Sequence, residues 1–174
     1  MEQNISLWQF AGFSLSSLFG TILHFLYDWS NQSLAIAPFS GVNESTWEHM
    51  KLLYFPLFIF ALVQSRFFKD YKGYWCIKLI GIVSGLLLIP VLFYTYNGVF
   101  GKSPDFINIT IFFVTAAVTY LLEWHLFKNN KIKCNFSKLA FIIICLIGGA
   151  FILFTFVTPK IPIFMDPITG TYGM

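Results

Sequence analysis

Charge is what this chain has least of: only 11% of its 174 residues are Asp, Glu, Lys or Arg, against 57% hydrophobic residues. Ordinary soluble domains carry about 25% charged residues, so a water-facing surface is excluded. Cysteine is scarce as well, with three residues, Cys76, Cys134 and Cys145. In the topology derived below these fall near or within the cytoplasmic half, or mid-membrane, and a disulfide framework is not expected. Gly-rich phosphate loops, Walker motifs and CxxC pairs are all missing, which sets aside a soluble cofactor enzyme. The net charge of +3 follows from how basic residues are shared among loops and gives no ground for nucleic-acid binding. A signal peptide is not expected either, because the first apolar run is too long, has no basic start and is not followed by a small-residue cleavage site.

Long apolar runs take up most of what remains. Five of them, at 8–27, 47–67, 74–96, 106–127 and 139–157, have the roughly 20 residues that a bilayer crossing needs. Lipid offers backbone groups no water, so a crossing segment must bond internally, and these runs lack the alternation of barrel strands. The expectation is an all-α polytopic bundle of about five transmembrane helices, forming a single integral membrane domain over residues 1–174 in a multi-pass cell-membrane protein. Basic residues set its orientation. The second-to-third connection holds Arg66, Lys69 and Lys72, and the fourth-to-fifth holds Lys128, Lys131, Lys133 and Lys138. The first-to-second has no Lys or Arg before Lys51, and the third-to-fourth has only Lys102. The positive-inside rule then puts the N-terminus inside and the C-terminus outside.

That orientation gathers ionisable side chains on the outer side. The stretch VNESTWEHMKL, residues 42–52, opens the second helix and holds Glu44, Glu48, His49 and Lys51. Ser45-Thr46-Trp47-Glu48 fits a capping box: the serine oxygen accepts from the N–H three residues on, and the glutamate reaches back to the serine's N–H. With Trp47 as an interfacial aromatic and Lys51 snorkelling outward, that part has a purely structural reading. Glu44 and His49 are not covered by it. In the first helix Ser14, Ser17, Thr21, His24 and Asp28 recur at three and four residues, which predicts one polar stripe facing protein. Asp28 stands at the negative end of its helix dipole, and His24 lies one turn deeper, where ionisable groups pair or line a cavity.

The connection between these helices is short, so an antiparallel pair brings the two sets together. The candidate ligand-binding residues are His24, Asp28, Glu44, Glu48 and His49, with Thr21 and Ser17 on the same stripe. His24, Asp28 and His49 are the candidate ligands for a divalent metal such as zinc, since imidazole and carboxylate suit such ions and His24-x-x-x-Asp28 puts two ligands on one helical face. The same groups suit a proton relay or cation site. The structural alternative is a salt-bridge network of Asp28 with His49 or Lys51.

A second stripe, Asn108, Thr115, Thr119 and Glu123, runs along the fourth helix, with Glu123 read as an interfacial anion near Lys128. Pro56 and Pro90 interrupt helices two and three, and a kink at Pro56 would open a vestibule beneath His49. Gly81, Ser84, Gly85, Gly148 and Gly149 allow close helix approach. The last stretch, 158–174, holds Pro159, Pro162 and Pro167 and cannot continue a helix. Its DPITG segment has turn chemistry, and its apolar residues predict an ordered outer strap that caps the vestibule and brings Asp166 or Tyr172 to the cluster.

The strings HFLYDW, VNESTWEHMKLLYFP and DPITGTYG resemble signatures of an uncharacterised family of small bacterial polytopic membrane proteins, over essentially the whole chain. That resemblance implies a membrane location and that the outer motifs belong together; it implies no activity. A looser likeness is to membrane-embedded zinc hydrolases of the ceramidase and adiponectin-receptor type, from which this chain departs in having no His-x-x-x-His and five spans instead of seven. Three classes follow. A transporter of a small molecule or ion, or a subunit of one, needs the two stripes to meet in a water-accessible path. A membrane-embedded metal hydrolase needs three converging ligands, an open coordination position and a nearby carboxylate. A non-catalytic partner or sensor needs only a closed, salt-bridged cluster. The bilayer is the expected partner of all three, with a small-molecule or ion ligand for the first two, and oligomerisation is left open.

Overall fold

The computed structural model describes residues 4–69, 71–129 and 134–174. Five helices follow one another: α1 (Ile5–Trp29), α2 (Thr46–Ser65), α3 (Tyr74–Phe100), α4 (Asp105–Asn129) and α5 (Ser137–Phe156). Local chemistry sets several of their ends. The Asn4 side chain accepts from Leu7 N–H to cap α1, and Ser45 accepts from Glu48 N–H to cap α2. Asn31 and Gln32 take left-handed φ values of 54° and 58° and stop α1; Gly101, at 84°, stops α3. The helices match the apolar runs, with α3 continuing past Tyr96 to Phe100.

Four helices, α1, α3, α4 and α5, are long and apolar enough to cross a membrane, and these mark a membrane protein. The exception is α2, which carries Glu48, Lys51 and Pro56. It is also the helix most enclosed by the others, with residues 50–57 all buried on every side of the helix. Enclosure explains its composition, because a helix surrounded by protein can hold polar groups that its neighbours satisfy. Lys51 is fully buried, and its ammonium reaches the Ala37 carbonyl at 2.8 Å, Thr155 Oγ1 at 3.1 Å and Glu48 Oε2 at 2.5 Å. Three donors meet three acceptors. Lys51 therefore does not snorkel to water as its position near a helix end suggested.

Small residues let bulky ones sit against a neighbouring backbone. Tyr54 on α2 donates its hydroxyl to the Ile144 carbonyl of α5 at 2.6 Å, and a Cβ placed on Gly148 would lie 2.7 Å from that oxygen. Gly149, the next residue, faces open space. Gly148→Val is expected to lower stability by about 1–3 kcal/mol through overpacking, seen as a lower melting temperature of detergent-purified protein. Gly149→Val is expected to leave melting unchanged.

The two ends of the bundle differ. One, the basic end, joins α2 to α3 and α4 to α5; Lys131 and Lys133 of its basic set lie outside the described residues. Here Cys76 and Cys134 form a disulfide, with Cα atoms 6.4 Å apart. This corrects the expectation of no disulfide, which rested on compartment alone and could not see that α3's first turn lies against the α4–α5 connection. Further in, Lys78 of α3 and Glu123 of α4 form a buried ion pair at 2.5 Å. Glu123 is thus not an interfacial anion near Lys128, whose ammonium instead lies over the Trp124 ring at 4.8 Å. The other, the tail end, collects the α1–α2 loop, the α3–α4 turn and residues 158–174.

A candidate metal centre at the tail end of the bundle

Residues 30–45 fold back onto the end of α1. Ser40 makes this possible: its hydroxyl accepts from Tyr27 N–H at 2.9 Å and donates to the Leu23 carbonyl. These two backbone groups are the ends of one rung of the α1 ladder, so the serine stands in the rung that encloses His24, a recognised way to bend or widen a helix locally. Gly41 N–H adds a bond to the same Leu23 carbonyl at 3.4 Å. Three residues later Glu44 lies beside the ring of His24.

The α2 cap then fixes the second histidine. Asn43 Oδ1 accepts from Ser45 N–H at 2.9 Å, while Ser45 Oγ accepts from Glu48 N–H at 3.4 Å. Half of the predicted capping box is present; the return bond from Glu48 goes to Val42 N–H at 3.0 Å, because Asn43 has already taken the serine's N–H. One turn into the helix, His49 Nδ1 bonds the Ser45 carbonyl at 3.0 Å. A carbonyl only accepts, so Nδ1 carries a proton, and in the neutral ring the Nε2 lone pair faces Glu44.

Both rings turn Nε2 toward Glu44. His24 Nε2 lies 3.8 Å from Glu44 Oε1, and His49 Nε2 lies 3.5 Å from Glu44 Oε2. The two rings are 5.8 Å apart between centroids. One ligand atom from each of the three residues falls within 4.8 Å of the others. With bonds of 2.0–2.2 Å, ligand atoms around a tetrahedral ion stand about 3.3 Å apart, so small side-chain shifts would close this set on one. All three side chains are partly accessible, at 31% for His24, 38% for Glu44 and 19% for His49.

That accessibility leads into a cleft of about 390 Å³, within the range of small-ligand sites. It is bounded by α1 and α4, with His49 and Leu52 of α2 behind and Ile168 of the tail at its mouth. Toward the basic end α1 and α4 meet: Ser16 and Tyr120 hydroxyls bond at 2.7 Å, and Gly20 admits the Phe112 ring. Beyond that contact they part, and the cleft lies between them. Pro56 is buried within α2, which runs on as one helix through it, and it does not line the cleft.

Other predicted residues have different surroundings. Asp28 is exposed and belongs neither to the three-residue cluster nor to an ion pair among the described residues, so water, not a histidine, compensates its place at the helix end. The face of α1 packed on its neighbours runs through Gly12, Ser16, Gly20 and Tyr27, about a quarter turn from the polar stripe. Only the near edge of the stripe, Ser17 and His24, turns inward. Ser17 is buried with a hydroxyl that has no partner among the described residues; Thr21 is exposed at the cleft and donates to the Ser17 carbonyl at 2.9 Å. Glu48 is committed to Lys51 and Val42, and it is not a ligand of the cluster.

The tail forms a 3-10 turn (Pro162–Phe164) and a tight bend closed by the Met165–Tyr172 bridge. Phe164 packs on Trp47, with ring centroids 4.5 Å apart, and Asn43 Nδ2 donates to the Gly173 carbonyl at 2.9 Å. Asp166 is buried but spends Oδ1 on Ile168 and Thr169 N–H groups, at 2.7 and 3.3 Å, so its carboxylate shapes the bend that carries Ile168 to the cleft. Tyr172 bridges Met165 through its backbone and is not among the residues that line the cleft. Reading the sequence did not single out Ser40 or Asp105, the latter a second carboxylate in the cleft at the start of α4. Nothing in periodicity marks Ser40; Asp105 was signalled only as an acid after Pro104 at a helix start.

No curated protein and no solved structure matches the chain. A match does extend over residues 1–174 to a family described as a family of unknown function, DUF6512.

Proposed function

We propose, from the premise that the chain belongs to this family of unknown function and inherits no activity from it, that it is a multi-pass cell-membrane protein binding one divalent transition metal, zinc foremost, through His24, Glu44 and His49. All five helices form one membrane domain over residues 1–174 in this reading; the basic loops put the N-terminus inside and the metal site and tail outside, against which stands the Cys76–Cys134 disulfide, then at the cytoplasmic end where such bonds are rare. The observation that carries the metal is the bond from His49 Nδ1 to the Ser45 carbonyl, which fixes the tautomer and directs Nε2 at Glu44. Held imidazoles of this kind are the usual outer support of a metal ligand. Two nitrogens and a carboxylate suit zinc, and three protein ligands leave a fourth position, here on the side of the cleft.

That fourth position favours chemistry over passage. A metal-bound water or substrate oxygen would sit there, with Asp105 in the same cleft as a second carboxylate. Transport needs a continuous path, and the cleft ends where Gly20 meets Phe112. A metal-dependent hydrolase is therefore the reading of activity that the site supports best, ahead of a transporter.

Elemental analysis tests the metal. Protein purified without chelators is expected to hold about one zinc per chain, with affinity weakening as pH falls because protons compete for both imidazoles. A folded preparation that takes up no zinc, cobalt or manganese would sink the reading. Orientation has its own measurement: alkaline phosphatase fused after Met174 is expected to be active, and fused after Asn129 inactive. The reverse pattern would place the site on the cytoplasmic side.

A further inference from the structure

The cleft has a second property that the metal reading does not use. Besides the three metal ligands and the polar Thr21, Asp105 and Asn108, the cleft is lined by Phe25, Ile109, Phe112 and Phe113. Phe25, Ile109 and Phe113 are 46%, 54% and 39% exposed on helices apolar enough to cross a membrane. The side of the cleft between α1 and α4 is thus open where the acyl chains of a bilayer would lie. Water entering along this side would meet mainly hydrocarbon, whereas a chain-bearing molecule would exchange one apolar surface for another.

The open coordination position selects the other end of the ligand. A divalent ion held by Glu44 and two neutral imidazoles would keep one net positive charge and an open position toward the cleft, which an oxygen anion fills; Asp105 in the same cleft favours a head with a single negative charge over a multiply charged one. The volume, about 390 Å³, suits a head and the first stretch of one chain, with the rest of the hydrocarbon outside in the bilayer.

From these observations we infer that the cleft is a lateral site for an anionic membrane lipid, whose head oxygen meets the His24–Glu44–His49 metal while one acyl chain lies between α1 and α4 along Ile109 and Phe113. The inference rests on the proposed metal for its choice of head group and on the cleft's own shape for its choice of a lipid. The tail bend contributes Ile168 to the lining, one more apolar side chain beside the ligand.

Photolabelling in vesicles tests it. The full chain is reconstituted in phosphatidylcholine containing a small fraction of phosphatidylglycerol with a diazirine on one acyl chain, and labelled residues are mapped by peptide mass spectrometry. Labelling is expected to concentrate on residues 20–28 and 105–113 about tenfold above lipid-facing Leu146 of α5, a ratio equal to 1.4 kcal/mol of preference. Diazirine-phosphatidylcholine should show no such concentration. Ile109→Trp, which fills the open side from an exposed position, is expected to abolish the enrichment while zinc content stays at the unmutated value. His24→Ala with His49→Ala is expected to remove zinc and the preference for the anionic head together.

Equal labelling of the cleft and of α5 overturns the lipid site, since the probe then reports bulk bilayer only. Full zinc content with no cleft enrichment leaves the metal reading standing and overturns this inference. Preferential labelling by phosphatidylglycerol in protein that never holds zinc overturns the metal and its contact with the head, and retains the lateral lipid site.

Discussion

Alanine at His24, Glu44 or His49 is expected to weaken zinc binding by more than about 100-fold in each case, since losing even an outer support of a metal ligand costs 10–100-fold. The three residues come from three separate segments, α1, the loop and α2, and each offers one atom to the same small volume. Two-ligand remnants should therefore retain little affinity whichever member is lost. Asp28→Ala, Thr21→Ala and Asp166→Asn are the contrasting set: none removes a ligand atom, so zinc stoichiometry should stay at the unmutated value. Competition titration with a chromogenic chelator separates the groups. If Asp28→Ala were as damaging as His49→Ala, the ligand set drawn from the geometry would be wrong. Ser40→Ala falls between. It leaves every ligand in place but removes the hydroxyl standing in the α1 rung around His24, so a loss of about tenfold is expected, in the range of outer supports.

The second large effect lies at the other end of the bundle. Lys78→Met is expected to destabilise the protein by about 3–5 kcal/mol, because Glu123 would remain as a buried carboxylate with no cation. Glu123→Leu should cost a similar amount by stranding the ammonium. The aromatic cage explains why each partner depends on the other. Lys78 Nζ lies 5.6–5.8 Å from the rings of Phe60, Tyr74, Tyr120 and Phe127, and among the described residues Glu123 is its one hydrogen-bond acceptor. Ring faces attract the cation but repel a lone carboxylate. Replacing both, Lys78→Met with Glu123→Leu, should recover most of the loss, since a packed apolar pair of similar volume avoids the desolvation penalty altogether. Thermal melting of the four proteins in one detergent gives the cycle. Additive losses in the double variant would show that the two side chains act independently, contrary to their 2.5 Å contact.

The contrast between these two sites bears on what could be read in advance. Glu123 and Glu48 each looked half-functional in the sequence, and each is consumed by a lysine, Lys78 or Lys51, that also sits inside the protein. Glu48 and Lys51 stand three residues apart on one helix, a spacing that pairs side chains, whereas the other pairing has no local signature. Lys78 is 45 residues from Glu123, and the only hint was a cation within an apolar run. The histidines were legible for a different reason: His24 and His49 stand in apolar helices with no nearby structural use, so a partner was called for. Glu44 was part of the same expectation but not of the expected metal ligands, where Asp28 stood instead. Helical spacing favours Asp28, four residues from His24, and says nothing of a glutamate delivered by a folded-back loop.

Hydropathy, run length and helix-end chemistry are local quantities, and they were enough for an all-helical membrane protein, for the extent of each helix to within a few residues, and for the gathering of His24, Glu44 and His49 near one end. Rotation of α1 about its axis was not local. It depends on which of Gly12, Gly20 and their neighbours admit Tyr120 and Phe112, and that packing turns Asp28 to water while leaving His24 at the edge of the cleft. The path of residues 30–45 was not local either, because a single hydroxyl, Ser40, ties it to α1 and thereby places Glu44 between two imidazoles. Periodicity reports which residues share a helical face; only the neighbours that fill the grooves determine where that face points.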